Sequence, residues 1–159
     1  MTPARPRPDK HEIGWREIIG LPDLGIAELH AKIDTGARTS ALNAAILGEV
    51  ERDGRACVEF DITFIEDHHI QRFVAPILDR RPIKNTSGIP ELRYIIETRL
   101  ALGQRCWHIE LSLTDRNPMR YDLILGRTAL RGRHICINPG RSFLAGPPAD
   151  PDELETASA

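Results

Sequence analysis

Aromatic residues are scarce in this chain of 159 residues, and cysteines number only three. Cys57, Cys106 and Cys136 lie far apart and form no Cys-x-x-Cys pair. That spacing excludes a disulfide framework as the basis of the fold and reads as reduced, mostly buried thiols in a cytoplasmic protein. No apolar run approaches the roughly 20 residues that a membrane helix needs. The opening Met1-Thr2-Pro3-Ala4-Arg5-Pro6-Arg7-Pro8 has no apolar stretch after its charges, so it does not read as a secretory signal. His-Glu-x-x-His is missing, and the six histidines make no helical ligand pair, so no metal is expected. A Gly-x-x-x-x-Gly-Lys loop is missing too, which removes the usual sign of ATP binding, and no cofactor is implied.

What is present is an ordinary apolar share of 41%, enough for one domain with a real core. Net charge is close to balanced, at −2, but unevenly spread. Between Asp79 and Arg141 twelve basic residues stand against six acidic ones (12 − 6 = +6), whereas the chain from Ser142 onward has four acids and no base. A positive surface of that kind attracts nucleic acid or an acidic peptide; scattered, solvated arginines are its plainer reading. The absence of aromatic stacking positions among the arginines argues against nucleic acid.

Apolar and polar residues alternate with the period of β-strands. Leu29, Ala31 and Ile33 alternate with His30 and Lys32, and Val58, Phe60, Ile62 and Phe64 repeat the pattern. Arg72-Phe73-Val74-Ala75 returns from a turn at Glu66-Asp67-His68. Tyr94 to Leu100 and Trp107 to Leu113 form a ribbon around a turn at Gly103-Gln104. Leu123-Ile124-Leu125 reads as a strand buried on both faces, Arg127 to Leu130 as one helical turn, and Ile135-Cys136-Ile137 as a closing strand. A further short helix is expected at Ser40–Ile46. The pattern predicts an all-β closed barrel or sandwich over residues 11–145, with one or two short helices. Residues 1–10 and 146–159 are expected to be disordered arms, the second of them acidic.

The strand through Ile33 runs into Asp34-Thr35-Gly36-Ala37. Alone, that segment fits a turn, since Asp and Gly are turn formers. Further on stands Leu123-Ile124-Leu125-Gly126-Arg127, its glycine 126 − 34 = 92 residues after the aspartate. A strand-borne Asp-Thr-Gly with a later apolar-Gly-Arg segment resembles the paired motifs of retropepsins, where glycine lets the apolar strand approach behind the aspartate loop. Ile13-Gly14-Trp15-Arg16-Glu17, the run from Lys32 to Leu42, Lys84-Asn85-Thr86-Ser87-Gly88, Glu91-Leu92-Arg93 and Leu113-Thr114-Asp115-Arg116 with Met119 widen the match. Together they are similar to bacterial retropepsin-like peptidases often labelled ATP-dependent zinc proteases. Some of these are encoded beside an ATP-grasp ligase that adds glutamates to a ribosomal protein. The resemblance covers Ile13 to Pro139.

It implies a retropepsin-like closed β-barrel, half of an acid protease, with Asp34 as the carboxylate of an aspartic endopeptidase. Such enzymes crowd two carboxylates until they share one proton. The chain has a single Asp-Thr-Gly, so the partner is expected from a second copy in a homodimer. Thr35 would tie the two loops across the axis and Gly36 would leave room for substrate. In a monomer Asp115 is the preferred second carboxylate, with Asp122 as another rival. Lys84, Asn85, Thr86, Ser87 and Gly88 suit a flap or an ordinary surface loop. Arg38 and Ser40 follow the catalytic loop and are expected to face substrate. Viral retropepsins carry an aspartate where Arg38 stands, so Arg127 lacks its usual partner and Glu110 is a substitute. Positive charge at Arg38, Lys84 and Arg93 suggests an acidic peptide or glutamate-tailed protein as substrate. An ATP-grasp glutamate ligase is the further partner that the resemblance implies. Two other readings stay open: a non-catalytic peptide-binding module of the same fold, and a zinc-dependent hydrolase built from scattered His, Cys and Asp.

Overall fold

The computed structural model describes residues 10–84, 88–115 and 120–153. In chain order the strands are β1 (His11–Gly14), β2 (Arg16–Leu21), β3 (Ile26–Asp34), β4 (Ser40–Asn43), β5 (Ala45–Arg52) and β6 (Arg55–Thr63). They continue with β7 (Ile70–Pro76), β8 (Asp79–Lys84), β9 (Pro90–Leu102), β10 (Arg105–Thr114), β11 (Leu123–Gly126) and β12 (Ile135–Asn138). Short helical pieces include a 3₁₀ turn at Pro22–Leu24 and a single-turn helix α1 (Arg127–Leu130).

The main sheet runs β10-β4-β11-β3-β2-β9-β8, and β9 pairs back with β10, so six strands close into a barrel with β8 added outside the ring. Closure follows from the ribbon: Gly103 takes a positive φ of 59° in its turn, and β10 then pairs β9 from Arg105↔Leu102 to Ser112↔Ile95. Leu100 and Trp107 point into the barrel, whereas Arg99 and His108 point out. At the centre lies β11, parallel to β3 on one side and antiparallel to β4 on the other. Leu123 and Leu125 are fully buried there, and truncating either to alanine costs about 2–5 kcal/mol.

A second sheet, β5-β6-β7, adds Val58, Phe60, Ile62 and Phe73 to the same core, with Phe60 stacked on Phe73 at 5.8 Å. The parallel pair β1 and β12 sets the first strand beside the last. The expected all-β closed barrel with few short helices is thus the fold that forms.

Three expectations change. The helix at Ser40–Ile46 is replaced by β4 and the start of β5. A seven-residue helix has little stability of its own, whereas β4 gains ladders to both β10 and β11 and buries Ser40 and Leu42 on alternate positions. Cys57 is buried, but Cys106 and Cys136 occupy outward strand positions and are exposed. Residues 146–153, read from sequence as part of a disordered arm, lie against the barrel: the Ala149 N–H donates to the Gly103 carbonyl (2.8 Å) and Pro151 is buried. Asp152 stands 3.5 Å from Arg99, which Asp23 also holds at 2.7 Å. Among the described residues, no helix is long and apolar enough to cross a membrane.

Candidate active site

β3 delivers Asp34 to the end of the barrel. The Ile33 N–H donates to the Trp15 carbonyl (2.9 Å), so the last turn-facing residue of β3 is pinned before the chain leaves the sheet. The loop then closes on itself: the Ala37 N–H donates to the Asp34 carbonyl (3.1 Å), and the Gly36 N–H donates to Asp34 Oδ1 (3.0 Å). Asp34 is half-buried, and its other oxygen, Oδ2, has no hydrogen-bond partner among the described residues. One carboxyl oxygen is therefore fixed by the backbone while the other is available to water or a second acid.

Support comes from behind. The parallel register sets Gly126 directly opposite Asp34. The Arg127 N–H donates to the Ala37 carbonyl (2.9 Å), and the N–H and hydroxyl of Thr128 both donate to the Arg38 carbonyl (3.2 and 2.7 Å). Ser40 Oγ accepts from the Gly126 N–H (3.0 Å), while the Ser40 carbonyl accepts from Ser112 Oγ (3.2 Å). The Arg127 guanidinium donates to the carbonyls of Thr35 and Gly36 (3.4 and 3.2 Å). Loop and β11–α1 junction form one hydrogen-bonded unit.

The other residues singled out in the sequence separate into those near this unit and those away from it. Thr35 and Gly36 are exposed beside Asp34, and Leu125 is fully buried beneath. Ser40 is buried and committed to Gly126 and Ser112, so it does not face substrate. Arg38 is exposed and lines a groove beside α1. Arg127 has no need of Glu110, which pairs instead with Arg81 (3.5 Å); loop carbonyls take the place of the carboxylate. Lys84 ends β8, Gly88 turns with φ 78°, and Arg93 stands across from Arg81 on β9. Asn85, Thr86 and Ser87 lie outside the described residues.

The rival acids are remote. Thr114 pairs with Asn43, whereas Leu111 pairs with Ser40 beside the loop. Asp115 therefore lies at the far end of β4, about 13 Å along the strand at ~3.3 Å per residue. Asp122 accepts from the backbone N–H groups of His30 (3.2 Å) and Ile65 (3.0 Å), at the opposite end of β11 from Gly126. Burial pushes its carboxyl above the ordinary aspartate range, and those two N–H donors offset part of the rise. Among the described residues, no group of three or more His, Cys, Asp and Glu side chains is placed to hold a metal ion. His69 is stacked on Phe64 (4.3 Å) and bonded to Asp67.

Sequence reasoning missed the supports. Glu17 is fully buried, and its oxygens accept the N–H groups of Gly14 (2.7 Å), Leu144 (2.9 Å) and Ala145 (3.0 Å), which anchors the bend at Trp15 that pins Ile33. Its signal was an acid at an inward position between apolar neighbours. Thr128 carried no signal, because its role depends on a contact 90 residues away.

A closed barrel that ends one strand in a clamped Asp-Thr-Gly loop, with an apolar-Gly-Arg strand directly behind it, defines the retropepsin-like class. Within that class, the model of the retropepsin-like aspartic endopeptidase RimB matches residues 12–148, and the chain belongs to this RimB-like family. Curated relatives include a probable alpha-L-glutamate ligase of Parasynechococcus marenigrum, 38% identical over 84% of this chain. Another of the same description, from Shewanella pealeana, is 35% identical over 89%. The chain spans only 29% and 31% of the length of these two relatives. Among solved structures, a Legionella pneumophila protein of unknown function superposes with a TM-score of 0.69 at 26% identity. That match covers 84% of this chain and 97% of the other.

Proposed function

We propose that the chain is an aspartic endopeptidase that becomes complete as a homodimer, each copy contributing Asp34 to one catalytic pair. The observation that carries this reading is Asp34 itself: Oδ1 is held by Gly36, Oδ2 is unengaged among the described residues, and the loop is clamped by Arg127 and Thr128. A group held that firmly is oriented before substrate arrives, which is what general acid–base catalysis requires.

Across a two-fold axis the pair shares a proton. The ionised member takes a proton from water, whose oxygen then bonds to the peptide carbonyl carbon. The protonated member gives its hydrogen to the developing oxyanion. Collapse of the tetrahedral intermediate breaks the C–N bond as the nitrogen receives a proton, and no covalent enzyme intermediate forms. Thr35, exposed next to Asp34, is the proposed tie between the two loops, and the β8–β9 hairpin is the proposed flap.

Acidic peptides, glutamate tails of a ribosomal protein among them, are the proposed substrates. Arg38 supplies positive charge four residues beyond Asp34, and the relatives described as glutamate ligases carry a matching segment. A glutamate ligase is the proposed partner, and the cytoplasm the proposed compartment.

Asp34→Asn tests the reading. It keeps the acceptor for Gly36, so the melting temperature should hold, while peptide hydrolysis falls by about 10²–10⁴-fold. Peptide binding by the parent with no cleavage at any protein concentration would favour the non-catalytic binding module, and undiminished hydrolysis in the variant would move the chemistry from Asp34 to another group.

A further inference from the structure

An open groove of about 600 Å³ is lined by Arg38 and Thr39 of the chain after the Asp34 loop and by Thr128 and Ala129 of α1. That volume falls in the range of sites that hold small ligands. Its lining includes Arg38, Arg81, Arg131, Arg133, His108 and Glu110. Four arginines therefore line the groove with a single glutamate.

The arginines are not equivalent. Arg81 is already neutralised, by Asp79 at 2.8 Å and Glu110 at 3.5 Å. Arg38, Arg131 and Arg133 have no carboxylate within 4.0 Å among the described residues. Like charges gathered in a concave wall raise the local potential and favour an anion there. Arg133 is also held in advance. Its guanidinium lies 5.2 Å from the centre of the Trp107 ring, and its carbonyl accepts from Arg105 Nη1 (2.7 Å). Trp107 is itself tied to α1 through its indole N–H, which donates to the Ala129 carbonyl (2.9 Å). A side chain ordered before binding loses less entropy on capture.

Arg38, whose carbonyl Thr128 clamps, lines the groove four residues beyond Asp34. Trp107 is only 7% exposed and offers no face on which a nucleobase could stack. A peptide with acidic side chains fits these features better than a nucleic acid.

We propose that Arg38, Arg131 and Arg133 form a carboxylate-reading subsite, distinct from the catalytic pair, that grips acidic side chains of the substrate some residues away from the scissile bond. The inference rests on the peptidase reading above and adds the residues that select the substrate. Planar guanidinium groups pair with carboxylates in two parallel hydrogen bonds, so the subsite distinguishes glutamate from glutamine, which differ little in shape.

The test uses the Asp34→Asn protein, so that no peptide is consumed, and compares fluorescent hexaglutamate and hexaglutamine peptides at low salt. The glutamate peptide should bind at least about tenfold more tightly, the worth of one charge-assisted pair. Arg131→Gln with Arg133→Gln should bring that ratio close to one, while Arg131→Lys with Arg133→Lys restores part of it. Melting curves of each variant exclude unfolding as the cause. Equal binding of the two peptides, an unchanged ratio in the glutamine variant, or tighter binding of a single-stranded oligonucleotide would overturn the subsite. The two readings fail separately. Cleavage of acidic and neutral peptides at equal rates removes the subsite and leaves the peptidase. Selective glutamate binding without any cleavage by the parent protein removes the peptidase and leaves the subsite.

Discussion

Gly126 lies directly opposite Asp34 in the parallel register of β11 and β3, and no side chain fits between that glycine and the loop it supports. A Cβ at position 126 would sit 2.7 Å from the carbonyl carbon and oxygen of Thr39 and 2.9 Å from the Ala37 oxygen. Those are backbone atoms, so the loop itself must move. Gly126→Ala should cost about 1–3 kcal/mol of stability, as overpacking does elsewhere. Activity should fall further than stability does, because the displaced atoms belong to the Asp34 loop. Chemical denaturation beside steady-state kinetics checks both; an unchanged kcat in a destabilised variant would separate the glycine from the site.

Arg127 holds the loop through its backbone carbonyls. Removing it by Arg127→Met leaves the carbonyls of Thr35 and Gly36 without their charged donor. Hydrogen bonds to charged groups contribute about 1.5–3 kcal/mol, so kcat should drop by about 10–100-fold. Lysine should recover part of the loss. A defect confined to KM would place Arg127 in substrate binding instead.

Glu17 should prove costly to alter, because it is fully buried. Glu17→Gln replaces one accepting oxygen with an amide that faces backbone N–H groups of Gly14 and Leu144 or Ala145. Each buried N–H left unpaired costs about 1–3 kcal/mol. The urea midpoint should fall clearly, and an unchanged midpoint would show that these donors find other partners.

Asp122 links stability to pH. Its carboxyl is raised in the folded protein by burial, from an ordinary value of 3.8. Between 3.8 and the raised folded value, the folded state holds a proton that the unfolded state has released. The contribution of this group is thus fully present below 3.8 and is lost as pH rises through the folded value. Asp122→Asn removes the titration. The stability of the parent relative to this variant should therefore decline as pH rises from 3.8, and a constant or growing difference would contradict the assignment.

The barrel was legible in sequence where one period sufficed. Leu29-Ala31-Ile33 and the two strands around Gly103-Gln104 sit where alternation put them, because each buries one face. Ser40 to Ile46 was misread because strand pairing to Leu111 and Leu123, not local propensity, sets its conformation. Asp34 and Gly126 stood out as motifs, yet their supports did not. The bond from Thr128 to Arg38, the three N–H groups on Glu17, and the meeting of Arg38 with Arg131 and Arg133 all depend on contacts between distant segments. Periodicity carries no information about such contacts.

The sharing of one catalytic pair between two chains is tested most directly by mixing. Parent and Asp34→Asn chains are unfolded together, refolded at fixed total concentration in varied proportion, and assayed for peptide hydrolysis. If a complete pair needs Asp34 from both copies, only parent dimers work, and activity follows the square of the parent fraction. A straight-line dependence on that fraction would mean that each chain hydrolyses peptide unaided.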